Sequence, residues 1–225
     1  MSQRKHALIV GASKGIGLAV VQRLLQEGWT VVATYRSTAV SFQHPQLRWL
    51  KLDITDAAER AALITQLGEE TFGAVVINAG IYGPQVQAIA QADDNALTEL
   101  FLTNAIAPVR MAEALLPRVQ AQYGVVGITT SQLASLSENP RAEIPLYAAS
   151  KAALNMLSRA LSTTFDDPKM ALLSLHPGWV KTDMGGENAA ITPDVSAAGL
   201  VAQLQRFSGQ GGHHYVDYRG ETLSW

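Results

Sequence analysis

Short runs of consecutive apolar residues alternate along this chain with longer stretches whose apolar positions recur every three or four residues. The run "HALIVGA" (6–12) reads as a strand, and "GLAVVQRLLQEG" (17–28) as a helix stopped by a glycine. Further strands are predicted at "TVVATY" (30–35), "LRWLKLD" (47–53) and "AVVINAG" (74–80), the last closing in a tight turn. Helical period marks 56–69, a long stretch from about 93 to 119, and "LYAASKAALNMLSRALSTTF" from 146 onward. Strands are also predicted at 124–131 and 171–178.

Strands apolar on both faces, with helices between them, describe a parallel sheet covered on both sides. Right-handed crossovers then give a doubly wound sheet. The predicted fold is α/β: one Rossmann-type domain over 1–225, a doubly wound parallel sheet of about seven strands with helices on both faces. One polar, glycine-containing break, "KTDMGGENAAITPD" (181–194), follows a Pro-Gly. In such a sheet it lies beside the carboxyl ends of the strands, where ligands bind, and reads as a substrate loop able to close as a lid.

With 48% of its 225 residues hydrophobic and 16% charged, the chain can bury a sizeable core. It has no cysteine, which removes disulfides, thiolate nucleophiles and zinc–cysteine sites. A net charge of −2 gives no electrostatic footprint for nucleic acid or an anionic membrane. The N-terminal "MSQRKHALIVGASKG" has too short an apolar run for a signal peptide, and no run approaches the ~18 residues of a membrane span. The expectation is a soluble, cytoplasmic protein without nucleic-acid, membrane or metal partners.

Between the first strand and helix lies "VGASKGIG", with Gly11, Gly15 and Gly17. This spacing is a variant of the dinucleotide fingerprint: a tight turn, close backbone approach to a pyrophosphate, and a helix N-terminus aimed at negative charge. A plain glycine-rich turn is the alternative. A P-loop is excluded, because no Lys-Ser or Lys-Thr follows at the required place. An NAD site usually carries an acid ~20 residues after the glycines, yet none occurs between Glu27 and Asp53. The second strand ends instead in Arg36 and Ser37, and Lys14 sits in the glycine loop. Two cations without a carboxylate favour a 2′-phosphate, hence NADP(H), over two solvated side chains. Asp53 could accept from an adenine amino group, or cap a turn. Asn78, Ala79 and Gly80 form a small-residue turn where backbone must pass close to a ribose.

In "LYAASKAAL", Tyr147 and Lys151 stand one helical turn apart on one face. Hydride transfer to a carbonyl creates an alkoxide, which needs a proton donor and hydrogen bonds. A tyrosine of pKa about 10 is a poor relay at neutral pH; a nearby ammonium is expected to lower that value. A serine at a strand end, Ser131, could orient the carbonyl. It lacks a hydrolase G-x-S-x-G setting. His176, on an apolar strand, reads as a satisfied structural histidine, and His213 and His214 point to opposite faces and make a poor metal pair.

Taken in order, "GASKGIG", "NAG", the asparagine of "FLTNAIAP", Ser131, Y-x-x-x-K and "HPGWVKTDMGG" resemble the short-chain dehydrogenase/reductase family over essentially the whole chain. The strings "YAASKAALNM", "PGWVKTDMGG" and "YVDYRGETLSW" most resemble its C-factor/sniffer-type carbonyl reductases. That resemblance implies Ser131, Tyr147 and Lys151 as the catalytic triad, with Tyr147 the acid/base and Lys151 also on the nicotinamide ribose. It makes Asn104 the anchor of a water in a proton relay; otherwise Asn104 is a polar helix residue beside a Pro108 kink. It implies cofactor contacts at Gly11, Ser13, Lys14, Gly15, Ile16 and Gly17, and at Arg36, Ser37, Asp53 and Ile54. The same holds for Asn78, Ala79 and Gly80, and for Pro177, Gly178, Val180 and Thr182 around the nicotinamide amide and phosphates. Ile81, Tyr82, Leu133, Trp179 and Met184 are the expected apolar substrate wall, with core or interface as their alternative.

Two departures stand out. Val10 occupies the place of the family's threonine before the first glycine, which puts loop rigidity in doubt. The family's Ser-Ser pair is Thr130-Ser131 here, with Ala134-Ser135 in place of a following Gly-Ser. The implied activity is NADPH-dependent reduction of a ketone or aldehyde by a homodimer or homotetramer, built through the helices near 96–119 and 146–164. An NAD(P)-binding sensor or signalling protein is the alternative. A nucleotide-sugar epimerase needs a larger substrate domain than the residues after Thr192 provide.

Overall fold

The computed structural model describes residues 5–225; the first four residues of the basic N-terminal stretch lie outside the described residues. Seven strands form one sheet: β1 (His6–Val10), β2 (Thr30–Tyr35), β3 (Leu47–Lys51), β4 (Ala74–Ile77), β5 (Val125–Thr129), β6 (Ala171–His176) and β7 (His213–Asp217). All six pairings are parallel, in the order β3-β2-β1-β4-β5-β6-β7. Chain order reverses between β1 and β4, so a crevice opens there outside the carboxyl ends of the strands.

The side-chain period of two explains the continuous apolar runs. In β1, Ala7 and Ile9 face one core while Leu8 and Val10 face the other. The first core is closed by α1 (Gly15–Gln26) and α6 (Pro193–Phe207), through Val21, Leu24, Leu200 and Leu204. Leu63 and Leu67 of α2 (Ala57–Leu67) help close the second, with Met111 and Leu115 of α4 (Ala107–Leu115). Leu154 and Leu161 of α5 (Pro145–Ser162) complete it. Each fully buried leucine is worth about 1.5–3 kcal/mol relative to exposure.

The predicted strands run a few residues long at their ends, and three boundaries that bear on the site move. Helix α1 begins at Gly15 rather than Gly17, because Lys14 already holds the extended backbone of a cap position. β5 ends at Thr129, placing Thr130 and Ser131 beyond the sheet. The stretch 93–119 is not one α-helix: α3 (Asp94–Phe101) passes through a π-helical segment, Leu102–Ile106, into α4. Irregularity therefore comes at Asn104 itself, just before Pro108, whose missing N–H is harmless in the first turn of α4. Among the described residues no helix is long and apolar enough to cross a membrane.

His176 is also corrected. Its Nδ1 is buried without a partner, and burial pushes its pKa down to about 4. His213 and His214 behave as expected of neighbours on a strand: His213 Nε2 lies 3.0 Å from Ser174 Oγ, while His214 Nε2 lies 2.8 Å from the Gly211 carbonyl.

Candidate active site

The glycine turn after β1 is fixed by close approach. Gly11 has φ +79°, and a Cβ there would sit 2.7 Å from the Ala79 amide nitrogen. At Gly17 a Cβ would lie 2.3 Å from the Gly11 carbonyl oxygen. Only glycine lets the first turn of α1 pack so tightly on the strand ends. The Gly11 N–H donates to Thr34 Oγ1 at 3.0 Å, and Asn78 Nδ2 donates to the Gly11 carbonyl at 3.1 Å. Thr129 Oγ1 in turn donates to Asn78 Oδ1 at 3.0 Å, so β2, β4 and β5 all brace the turn. The threonine replaced by Val10 is thus compensated from Thr34.

Helix α1 starts with no side-chain cap and no acid in its first turn, leaving its N-terminal amides and dipole directed toward the crevice. Beside it lies a cavity of about 490 Å³ lined by Ser13, Lys14, Arg36 and Ser37, and by the Thr38–Phe42 segment that sequence reasoning missed. Lys14 Nζ is 2.5 Å from Asp183 Oδ2 of the 181–194 loop. Thr182 of that loop packs its methyl over Gly15, 3.2 Å from where a Cβ would be. Asp53 Oδ1 accepts from the Thr55 N–H at 2.9 Å and the Thr55 hydroxyl at 2.6 Å. One carboxylate oxygen is thus spent on a turn, and these bonds, aided by the Arg36 charge, hold its pKa below the usual range.

At the other end of the crevice, Pro145 opens α5 and sets Tyr147 and Lys151 on its inner face. Gln87 Oε1 accepts the Leu146 and Tyr147 N–H groups at 3.0 and 3.2 Å, supplying the cap that α5 lacks locally. The buried Lys151 Nζ donates to the Thr129 carbonyl at 2.9 Å and lies 5.9 Å from the Tyr147 ring centre. Ser131 Oγ accepts from the Leu133 N–H at 3.2 Å and lies close enough to Tyr147 to favour its phenolate. Burial outweighs that effect, and the Tyr147 phenol is pushed up to about 12. Desolvation lowers Lys151 to about 8. The net direction for the phenol is thus opposite to the one expected, with desolvation of the partly buried Tyr147 the largest cause.

Asn104 is fully buried in the π segment. Its Oδ1 accepts from the Ile81 N–H at 2.8 Å, and its Nδ2 donates to the Ile81 carbonyl at 2.8 Å and to Ser150 Oγ at 3.0 Å. Gly80 passes between Asn104 and Lys151, where a Cβ would lie 3.3 Å from Asn104 Oδ1 and 3.4 Å from Lys151 Nζ. Tyr82 and Tyr147 stack with centres 6.1 Å apart.

The family model described as short chain dehydrogenase matches residues 5–191. The chain belongs to the short-chain dehydrogenase family. C-signal of Myxococcus xanthus is 33% identical over 152 residues, covering 67% of this chain and 91% of that one. A carbonyl reductase of Pseudomonas aeruginosa PAO1, solved in complex with NADP, is 42% identical with TM-score 0.89, all of both chains being covered. A protein of Burkholderia multivorans with bound NADP is 34% identical with TM-score 0.94, covering 99% of this chain and 100% of that one. These findings bear out the family resemblance, the fold and the oxidoreductase class.

The residues present fit a dinucleotide. In this dehydrogenase the glycine cradle excludes any Cβ, and a cationic cavity adjoins it at Arg36 and Lys14. Ser131, Tyr147, Lys151, Asn78, Ala79 and Gly80 gather at the carboxyl ends of β4 and β5. Thr182 returns over the glycine turn, while the buried Val180 bridges to Ile191 and the Lys181 N–H is bonded to the Ile191 carbonyl. Gly178 takes φ +85°, and the Pro177 carbonyl accepts from Ser196 Oγ at 2.6 Å. Asp53 and Ile54 lie apart from this group, at the outer β3 side. Of the expected apolar wall, Ile81, Tyr82 and Leu133 are partly buried, whereas Trp179 and Met184 are exposed on the loop. Trp179 Nε1 is tied to the Gly185 carbonyl at 2.8 Å. Sequence reasoning missed Gln87, Ser150 and Thr34. Each is 23 or more positions in sequence from the residue it braces, save the bond from Ser150 to the nearby Tyr147 carbonyl, and local pattern carries no signal for such partners.

Proposed function

We propose that this dehydrogenase is an NADPH-dependent reductase converting a ketone or aldehyde to an alcohol, in the cytoplasm and as a homodimer or homotetramer. The observation that carries the reading is the meeting of Ser131, Tyr147 and Lys151 at the crevice: Ser131 Oγ lies beside the Tyr147 phenol, and the buried Lys151 ammonium lies 5.9 Å from its ring, a proton donor with a cation to steady the phenolate it leaves. Bound NADPH would supply the hydride. Lys14 and Arg36 would hold the 2′-phosphate, and the amides from Ser13 to Gly17, Ile16 included, the pyrophosphate. Arg36, Ser37, Asp53 and Ile54 would flank the adenosine. Asn78 to Gly80, with Lys151, would flank the second ribose, and Pro177, Gly178, Val180 and Thr182 the nicotinamide side.

In this reading Ser131 donates a hydrogen bond to the carbonyl oxygen and Tyr147 donates the proton. Lys151, an ammonium below about pH 8, stabilises the phenolate left behind. Asn104 holds the π segment and the Ile81 backbone in place, so that a water can resupply the proton. Ile81, Tyr82, Leu133, Trp179 and Met184 would wall an apolar substrate. Exposed Ile106, Met156 and Leu157 on the outer helices are where copies of the chain would meet.

The identity with C-signal favours a second reading, an NADP-binding signalling protein with incidental turnover. The test follows NADPH and NADH oxidation in parallel over a panel of aldehydes and ketones, with Tyr147→Phe as control. The reductase reading expects NADPH-linked turnover that the phenylalanine variant loses by at least about a hundredfold while still binding cofactor. Cofactor binding without turnover in either protein favours the signalling reading, and a preference for NADH overturns the use of Lys14 and Arg36.

A further inference from the structure

The carbonyl of Ser131 is held from two directions. The Ala134 N–H donates to it at 3.0 Å from within the short 3₁₀ turn Gln132–Ala134, which Ser131 itself caps. The second donor is remote: the Tyr215 hydroxyl of β7, 2.5 Å away and 84 positions along the chain. Tyr215 is 1% exposed, and its ring packs on Trp225 with centres 5.0 Å apart. A 3₁₀ turn of one cycle has poor hydrogen-bond geometry and resists hinging weakly. The remote bond crosses β6 and anchors the turn to the sheet.

The choice of tyrosine fits this bond, and the same hydroxyl also meets the Asn155 side chain of α5. A phenylalanine would fill the same core space, and a buried hydroxyl is favourable only when bonded. Burial holds the Tyr215 phenol protonated, so it remains a donor throughout the working pH range. The same C-terminal segment grips the next residue too: Gln132 Nε2 lies 3.3 Å from one Glu138 oxygen, and the Ser224 N–H 3.1 Å from the other.

We propose that Tyr215 is a positioning residue for the reaction: its hydroxyl fixes the Ser131 peptide plane, and with it the direction in which the Ser131 hydroxyl points toward Tyr147. This rests on the reductase reading for its consequence, though not for its geometry.

The test compares Tyr215→Phe with Val216→Ala, a core truncation on the opposite face of β7 that touches none of the site. Both should fold, since Tyr215→Phe keeps the ring and the Ala134 bond. Two measurements are made on each with NADP bound: amide hydrogen exchange at Leu133 and Ala134 by NMR, and kcat with KM for NADPH. The expected result is exchange at those amides about tenfold faster in Tyr215→Phe than in Val216→Ala, with kcat lower by about ten- to a hundredfold. The KM for NADPH should be unchanged. If the two variants behave alike in exchange and kcat, or if exchange rises and kcat does not fall, the proposal is overturned. Should the unaltered protein reduce no carbonyl, the reductase reading fails by itself, and the exchange comparison still decides whether Tyr215 orients Ser131.

Discussion

At the scale of single residues, Lys14 already has a partner in the loop that would cover the cofactor. Its ammonium is paired with Asp183, and both side chains are about three-quarters exposed. The pair is therefore screened by solvent and weakly held. If Lys14 binds the 2′-phosphate, Asp183 competes with the cofactor for it. Replacing Asp183 by Asn should tighten NADPH about two- to fivefold at low salt, with NADH unaffected and the gain fading as salt rises. Fluorescence titration of both cofactors in the two proteins measures this; an equal change for NADH would place the effect in the loop rather than in the charge. The residue types of this site were legible because their chemistry is sparse: few side chains bind phosphate or donate a proton near neutrality. Their protonation was not. The ammonium of Lys151 suggests a lowered Tyr147 phenol, and burial, which no spacing reveals, drives it the other way.

At the scale of elements, the strands were legible because a parallel strand covered on both faces leaves an unbroken apolar run. The π segment was not, since inserting one residue into a helical turn changes neither composition nor overall period. That segment turns Asn104 inward, where three hydrogen bonds link α3 and α4 to the Ile81 backbone and to Ser150 on α5. Gln87 does the same for the start of α5 from 59 positions away, which sequence spacing could not disclose. Asn104→Ala strands a part-buried N–H and a part-buried carbonyl at Ile81, together costing about 3 kcal/mol. Thermal melting should drop by roughly 6–12 °C for a domain of this size, and Asn104→Asp, which keeps the acceptor but turns a buried carboxylate oxygen on the Ile81 carbonyl, should lose no less. A markedly smaller loss in Asn104→Asp would mean that the acceptor for the Ile81 N–H dominates and that the two Nδ2 bonds contribute little.

Across the whole molecule, the sheet joins two regions of different acid sensitivity. The β6–β7 side holds two partly buried histidines, whereas His6, at the amino end of β1, lies 3.6 Å from a Glu70 carboxylate oxygen. His176 sits opposite Asp217 in the strand register, and His213 lies against Trp225 and Ser174. Burial is the main cause in both, and each falls from 6.5 to about 4, with Asp217 opposing the shift at His176. Between those values the unfolded chain binds protons that the folded chain refuses, so stability rises with pH across that window. Acidification from pH 6.5 to 4 should therefore cost about 3 kcal/mol per histidine at most, before carboxylates such as Asp53 begin to lose their own hydrogen bonds. Urea unfolding midpoints measured from pH 7.5 to 4.5 should fall steadily in the unaltered protein, and far less in a His176→Gln/His213→Gln variant, whose amides carry no proton to gain. Because Tyr215 lies on the same strand as His213, the proton that loosens β7 also loosens the support of the Ser131 turn. Exchange at Leu133 should then speed up below about pH 6, while the glycine turn, braced by Thr34 and Asn78, keeps its protection; loss of both together would place the weakness in the sheet as a whole instead of at its β7 edge.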